Sequence, residues 1–412
     1  GYGEWGIVDV WRRKKPEYWN AKKAYSPIKI LATTIKDYEQ GTAIDIPIYN
    51  RFDHTNLNET IIKYTYNDST AILDAPDIQP HKKGVLVLPI TNWDANKKIA
   101  VNFYDINEQL IDSYHISQGV KESERMHVEN TEKVALMDKA HELIVQTNNG
   151  NFIFDKKTGL LSAFEKGGKS IRVSGPFMTY KTKGKGLTIS SNFINNYGQE
   201  WKLSNFSHSQ RGNAVIIKID GSYNTLRSSF ELLILANGEL KTTYYYENLP
   251  KENVREIGIK YSFDSIFDTL SWERTGYWST YPSNHLSAIS GEVPLFATTK
   301  KKYRTSPQKP WYQDTKSFYY EGTGDETNND LTYIAKATKE HISQYALMKG
   351  DKKVVNAVSN GTLSCRLAKM DNTIELFLNN DVDYVDLSWG NYQRNILLEG
   401  TYNGEASIIF NP

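Results

Sequence analysis

The densest group of chemistry-bearing side chains runs through Trp272, Tyr277, Trp278, Tyr281 and His285, and then Trp311, Tyr312, Phe318, Tyr319 and Tyr320. Sugar rings present apolar C–H faces that lie flat on indole and phenol rings while their hydroxyls reach polar neighbours. Exposed aromatics beside Arg274, Asn284 and Asp314 would therefore suit a carbohydrate surface. Packing between strands is the competing account, and for any single ring the weightier one. Pro282, Pro294, Pro307 and Pro310 put parts of the region in loops, which favours exposure. Trp278, Tyr281 and Trp311 are the substrate-binding candidates here.

Other chemistries find little footing. Retaining hydrolysis of a glycosidic bond needs two carboxyl groups about 5 to 5.5 Å apart on rigid elements. The dipeptides Asn58-Glu59 and Asn107-Glu108 lie in polar turn regions that would not hold such a pair. The 8 histidines are scattered, without a His-x-His or His-x-x-x-His pair to seat a metal. Gly324 to Asp330 is rich in oxygen ligands but lacks the spacing of a calcium loop, so a solvated turn is expected. No Gly-x-Ser-x-Gly elbow anchors a nucleophilic serine. Lys181 to Gly186 lacks the Lys-Ser/Thr ending of a phosphate loop and reads as a solvated hairpin. No cofactor and no metal are expected.

The elements that must position these residues are strands. Pro16 opens a helix expected from Glu17 to Tyr25, ended by Pro27, since proline suits a first helical turn and cannot continue a later one. From Ile28 the pattern becomes short alternating runs at Ile44 to Tyr49, Thr60 to Tyr66, Val85 to Ile90 and Ile99 to Tyr104, which predicts an immunoglobulin-like sandwich over 28–120. A polar, helical or irregular connector is expected from Lys121 to Lys139. Strands resume at His141 and continue to Ile409, with hairpin signals at Asn149-Gly150, Asn237-Gly238 and Asn403-Gly404. That predicts a large two-sheet sandwich over 140–412 and an all-β chain with one short N-terminal helix.

Composition narrows the partners. The 49 Lys and Arg against 48 Asp and Glu leave a net charge of +1, so no long-range field recruits nucleic acid or a membrane surface. No apolar run reaches the length of a membrane span. A lone Cys365 excludes an internal disulfide without deciding the compartment.

Three segments carry a resemblance. Trp5 to Asp9, Arg13 to Glu17 and Tyr25 to Pro27 resemble the end of the catalytic barrel in glycoside hydrolase family 2. Asn50 to Leu57 and Pro76 to Leu88 look like the signature of that family's next immunoglobulin-like domain. The stretch opening at Gly150 is similar to the start of the large C-terminal domain of β-galactosidases, a supersandwich also found in galactose mutarotases. The order of the three matches is the family's order. After Gly175-Pro176 the chain departs from the Arg-x-x-x-Asp-Asn-Asp stretch usual in true β-galactosidases, so the resemblance does not extend to galactose specificity. The Trp272 to Pro282 and Ser388 to Gly390 segments match the family only loosely.

The resemblance implies that residues 1–27 are the end of a (β/α)8 barrel, and that the two catalytic glutamates belong to earlier barrel strands outside this chain. The expected role is an accessory portion of a β-galactosidase-like enzyme acting on carbohydrate. Trp5, near the last barrel strand, joins Trp278, Tyr281 and Trp311 as a candidate sugar contact. The expected partners are carbohydrate, the N-terminal catalytic part and, as an option, a second copy of the chain. A periplasmic or secreted location is favoured over a cytoplasmic one. Two alternatives stay open: a carbohydrate-binding module without catalysis, and a mutarotase-like epimerase with Glu273 and His285 as acid and base.

Overall fold

The computed structural model describes residues 6–8, 12–14, 16–95, 97–118, 134–183, 193–195, 201–275, 288–296, 331–370, 372–380 and 396–411. Strands form where the sequence alternates, and the described residues are all-β apart from a short N-terminal helix, a turn of 3-10 helix at Leu57–Glu59 and one later helical turn. It divides into two compact units, one holding the described residues up to Gln118 and the other those from Val134.

In the first unit, α1 covers Pro16–Ala24. The strands are β1 (Ile28–Ile30), β2 (Thr34–Ile35), β3 (Ile44–Asn50), β4 (Ile61–Tyr66), β5 (Ser69–Leu73), β6 (Lys83–Leu88), β7 (Ile99–Tyr104) and β8 (Leu110–Gln118). A three-stranded sheet, β1-β3-β6, faces a five-stranded one, β2-β8-β7-β4-β5, as an immunoglobulin-like sandwich. The inward residues of β3, Ile44, Ile46 and Ile48, meet Ile62, Leu86, Leu88, Val101, Phe103 and Ile116 in one core. Period-two alternation is what brings one face of each strand there.

The helix is tied to this sandwich through a buried charge. The Lys23 ammonium sits 2.9 Å from Asp112 Oδ1, donates to the Ser113 carbonyl at 3.1 Å and lies 3.1 Å from the Tyr114 ring centre. Tyr18 and Trp19 are half-buried and meet edge to face at 5.2 Å, with Lys14 against both rings.

The two halves of the Asn50 to Leu57 and Pro76 to Leu88 signature meet physically. Asn50, fully buried, donates to the carbonyls of Thr55 and Ile78 at 3.0 and 2.8 Å and accepts from the Phe52 amide at 3.0 Å. Asn56 accepts from the Ile78 amide at 3.0 Å. These asparagines satisfy backbone groups that a buried loop would otherwise leave bare.

The second unit contains β9 (Ala135–Asp138), β10 (Glu142–Thr147), β11 (Gly150–Asp155), β12 (Leu161–Lys166), β13 (Lys169–Lys183), β14 (Phe193–Asn195), β15 (Trp201–Arg211) and β16 (Ala214–Tyr223). It continues with β17 (Leu226–Leu235), β18 (Glu239–Asp264), β19 (Thr269–Arg274), β20 (Ser290–Pro294), α2 (Tyr333–Lys336), β21 (Lys339–Lys349), β22 (Lys352–Met370), β23 (Thr373–Asn380) and β24 (Ile396–Phe410). Neighbours run β20-β19-β21-β22-β23-β18-β13-β12-β11-β10-β9, while β15-β16-β17 joins β18 and β24 joins β18 and β22. β18, 26 residues long, pairs with β13, β17, β23 and β24 and so joins the branches of one 16-stranded sheet. Phe152, Phe164 and Phe410 interlock in its core, Phe164 stacking on Phe410 at 4.8 Å. Each such ring contributes about 1.5 to 3 kcal/mol by burial.

Three sequence expectations are corrected. Ala135–Asp138, expected to be connector, is strand β9, paired with β10. The β10–β11 turn is Asn148 and Asn149, one residue earlier than expected, because Thr147 pairs with Gly150. Asn403-Gly404 is no turn at all but the middle of β24, opposite Tyr245 and Tyr244. The Tyr244 hydroxyl lies where a side chain at Gly404 would start, so glycine serves close approach there. Asn237-Gly238 does turn between β17 and β18, with Gly238 at φ +83°.

Candidate functional site

β18 is two-faced around residues 256–263. Ile257, Ile259, Tyr261 and Phe263 enter the core, which turns Glu256, Gly258, Lys260 and Ser262 to the other side. The same parity on β23 places Glu375, Phe377 and Asn379 beside them, on β22 Ser364 and Arg366, and on β13 Thr179. The result is a polar face that is nonetheless buried, with Arg366 at 2% exposure and Thr179 and Asn379 at 3%.

Its charged and polar groups pair with one another. Arg366 grips Glu256 with two parallel hydrogen bonds, Nε to Oε1 and Nη2 to Oε2, both 2.8 Å. Beneath that pair the Arg366 guanidinium lies 3.6 Å from the centre of the Phe377 ring. Lys260 meets Glu375 at 2.7 Å and lies 5.5 Å from the same ring. The Thr179 hydroxyl donates to Asn379 Oδ1 at 2.6 Å. That bond crosses over Gly258, which pairs with both residues; an added Cβ there would lie 2.6 Å from Asn379 Cα. Glycine is needed because the backbone of Leu378 and Asn379 on β23 comes into its side-chain space, with Asn379 Oδ1 close behind.

Buried and paired in this way, the face suits holding β13, β18, β22 and β23 together, and its carboxylates are poorly placed to move protons. Both oxygens of Glu256 face the guanidinium fork, a geometry that fixes a carboxylate instead of aiming it at a substrate proton. Among the described residues no group of three or more His, Cys, Asp or Glu side chains is close enough to hold a metal ion, and no helix is long and apolar enough to cross a membrane.

The sugar-contact candidates Trp5, Trp278, Tyr281 and Trp311 lie outside the described residues, as do Asp9, Tyr277, Asn284, His285, Tyr312, Asp314, Phe318, Tyr319, Tyr320 and residues 324–330. Trp272, the first aromatic of that group, is core: it is 3% exposed, donates from Nε1 to the Ala288 carbonyl at 3.0 Å and lies 4.9 Å from the Lys339 ammonium. Arg274 is held by Glu340 at 3.0 Å, and Glu273 is half-buried on β19. Glu59 closes a capping box by accepting from the Asn56 amide at 2.7 Å, and Glu108 sits in a turn at φ +58°. Glu59 ends a turn of 3-10 helix and Glu108 ends a tight turn.

Sequence reasoning missed Thr179, Glu256, Lys260, Arg366, Glu375 and Asn379. The available signal was the polar parity of Glu256, Gly258 and Lys260 between apolar neighbours, which reads equally as an ordinary solvent face.

The chain matches no family model and no curated protein. Solved structures similar to it include the protein HI1317, at 10% identity and TM-score 0.34 over 67% of this chain and 99% of that one. A putative aldose 1-epimerase from Escherichia coli matches at 10% identity and TM-score 0.32 over 68% of this chain and 98% of that one. Galactose 1-epimerase from Lactobacillus acidophilus NCFM matches at 9% and 0.30 over 68% and 98%. At this level the likeness is a general one.

Proposed function

We propose that this chain is the accessory β-portion of a β-galactosidase-type glycoside hydrolase of family 2, acting on carbohydrate together with a catalytic barrel that carries the glutamate pair. The observation that carries this reading is the pairing-off of the buried polar face. Glu256 is held by Arg366 and Glu375 by Lys260, which suits a supporting role better than acid/base catalysis. The ordered resemblance of the three segments supplies the family, and the coupling of Asn50 and Asn56 to Ile78 is a physical reason for its second motif. In the assembled enzyme Trp5, Trp278, Tyr281 and Trp311 are the aromatics assigned to the sugar.

The test is activity with and without the barrel. Residues 1–412 are expected to release no nitrophenol from aryl β-galactosides, β-glucuronides or β-mannosides, and to speed no interconversion of sugar anomers. A polypeptide joining the same residues to the upstream barrel is expected to hydrolyse at least one of these glycosides. Turnover by residues 1–412, scaling with protein concentration and removed by a point substitution within them, would sink the proposal.

A further inference from the structure

Strand β6 is one edge of the sheet β1-β3-β6. Along β3 the backbone bonds alternate between its two neighbours. Pro47 accepts from the Leu31 amide and Arg51 donates to the Pro27 carbonyl, both toward β1, whereas Asn50 donates to the Lys82 carbonyl on the β6 side. The register pairs Tyr49 with Lys83, Pro47 with Val85 and Asp45 with Val87, so the amides and carbonyls of Lys83, Val85 and Val87 point to the open edge. No described residue hydrogen bonds them.

The side chains of the same three residues point outward, since Leu86 and Leu88 between and beyond them are buried in the core. Val85 is 47% and Val87 49% exposed. Edges that stay single are commonly blunted by charges, a proline or a bulge. β6 pairs with β3 without a bulge, and its one charged residue, Lys83, stands at its first position. The edge is a regular template for another strand.

Charge selects which strand. Lys83 and Asp45 are exposed and have no ion-pair partner among the described residues. In an antiparallel pairing of β6 with β6 of a second copy, centred on Val85, Lys83 of one copy faces Val87 of the other, and each pair exchanges both its hydrogen bonds. Asp45 is the next member of that row, because it pairs with Val87 within each copy. Two strand spacings, about 10 Å, then separate the Lys83 and Asp45 backbones, a gap that the two side chains close by leaning over the valine. The valines of the two copies cover one another in the same arrangement. A parallel pairing would set Lys83 beside Lys83 instead.

We propose that β6 is a homodimerisation edge, joining two copies of the chain into one continuous sheet β1-β3-β6-β6-β3-β1. The proposal rests on the first unit alone and does not depend on the glycosidase reading.

Sedimentation of residues 1–412 over a concentration series tests it, and a monomer–dimer equilibrium is expected. Val87→Lys sets a second positive charge against Lys83 of the other copy and is expected to weaken the dimer about tenfold or more. Lys83→Asp is expected to weaken it roughly tenfold, and Lys83→Asp with Asp45→Lys to restore it, because the ion pair is only reversed. Ile72→Lys, on the exposed edge strand β5 of the other sheet, is expected to leave the equilibrium unchanged. None of these side chains builds the core, so the variants should keep the parent's thermal melting curve. Monomer at every concentration, an undiminished dimer in folded Val87→Lys, failure of the charge reversal to restore association, or loss of the dimer through Ile72→Lys would each overturn the proposal.

Discussion

Arg366 and Glu256, 110 residues apart in sequence, meet through two hydrogen bonds of 2.8 Å on a face where Arg366 is 2% exposed. Removing one partner of such a pair leaves the other charge buried and unmatched, which typically costs about 3 to 5 kcal/mol. Arg366→Met should therefore unfold the second unit at much lower denaturant than the parent. Arg366→Met with Glu256→Gln should recover most of the loss. Equal losses in the single and double variants would show that the arginine acts through packing on Phe377 alone.

Lys23 provides a pH test in the first unit. Burial lowers its pKa below the usual 10.5, and the attraction of Asp112 offsets this only in part. Between the lowered value and 10.5 the folded state binds fewer protons at Lys23 than the unfolded state, so the contribution of Lys23 to stability should rise with pH across that window and be flat below it. Denaturant titrations followed through the buried Trp93 would read the slope, and Lys23→Met should abolish it. At neutral pH the same substitution should cost about 3 to 5 kcal/mol, because Asp112 keeps its buried charge.

Gly404 is a test of close approach. An alanine there must displace Tyr244, whose hydroxyl donates to Asn380 Oδ1 at 2.7 Å. Overpacking of this kind costs about 1 to 3 kcal/mol. Gly404→Ala combined with Tyr244→Leu should cost less than the sum of the two single changes, as judged by chemical denaturation; strict additivity would argue against the contact.

Trp272→Ala should behave as a core deletion, costing roughly 3 to 5 kcal/mol. Sugar binding by the protein that remains folded should be unchanged. A selective loss of sugar affinity with stability intact would return Trp272 to the group of sugar-contacting aromatics.

Much of this architecture was legible in the residues themselves. Pro16 marked the first turn of α1, and alternation placed β3, β4 and β7 to within a residue, since burying one face of a strand imposes a period of two on the sequence that makes it. Asn237-Gly238 turned as a local signal should, because a turn is decided by a few adjacent dihedral angles. The signature linking Asn50 to Ile78 pointed to a real contact, though not to its bonds. Asn403-Gly404 failed because the same dipeptide satisfies a second demand, the absence of a side chain beneath Tyr244, and that demand comes from a strand some 160 residues away. Arg366 with Glu256, Lys260 with Glu375 and Thr179 with Asn379 were invisible for the same reason. Alternation states which residues share a face, but whether that face meets water or is buried, and which charge finds which partner, is decided only when β13, β18, β22 and β23 are laid side by side.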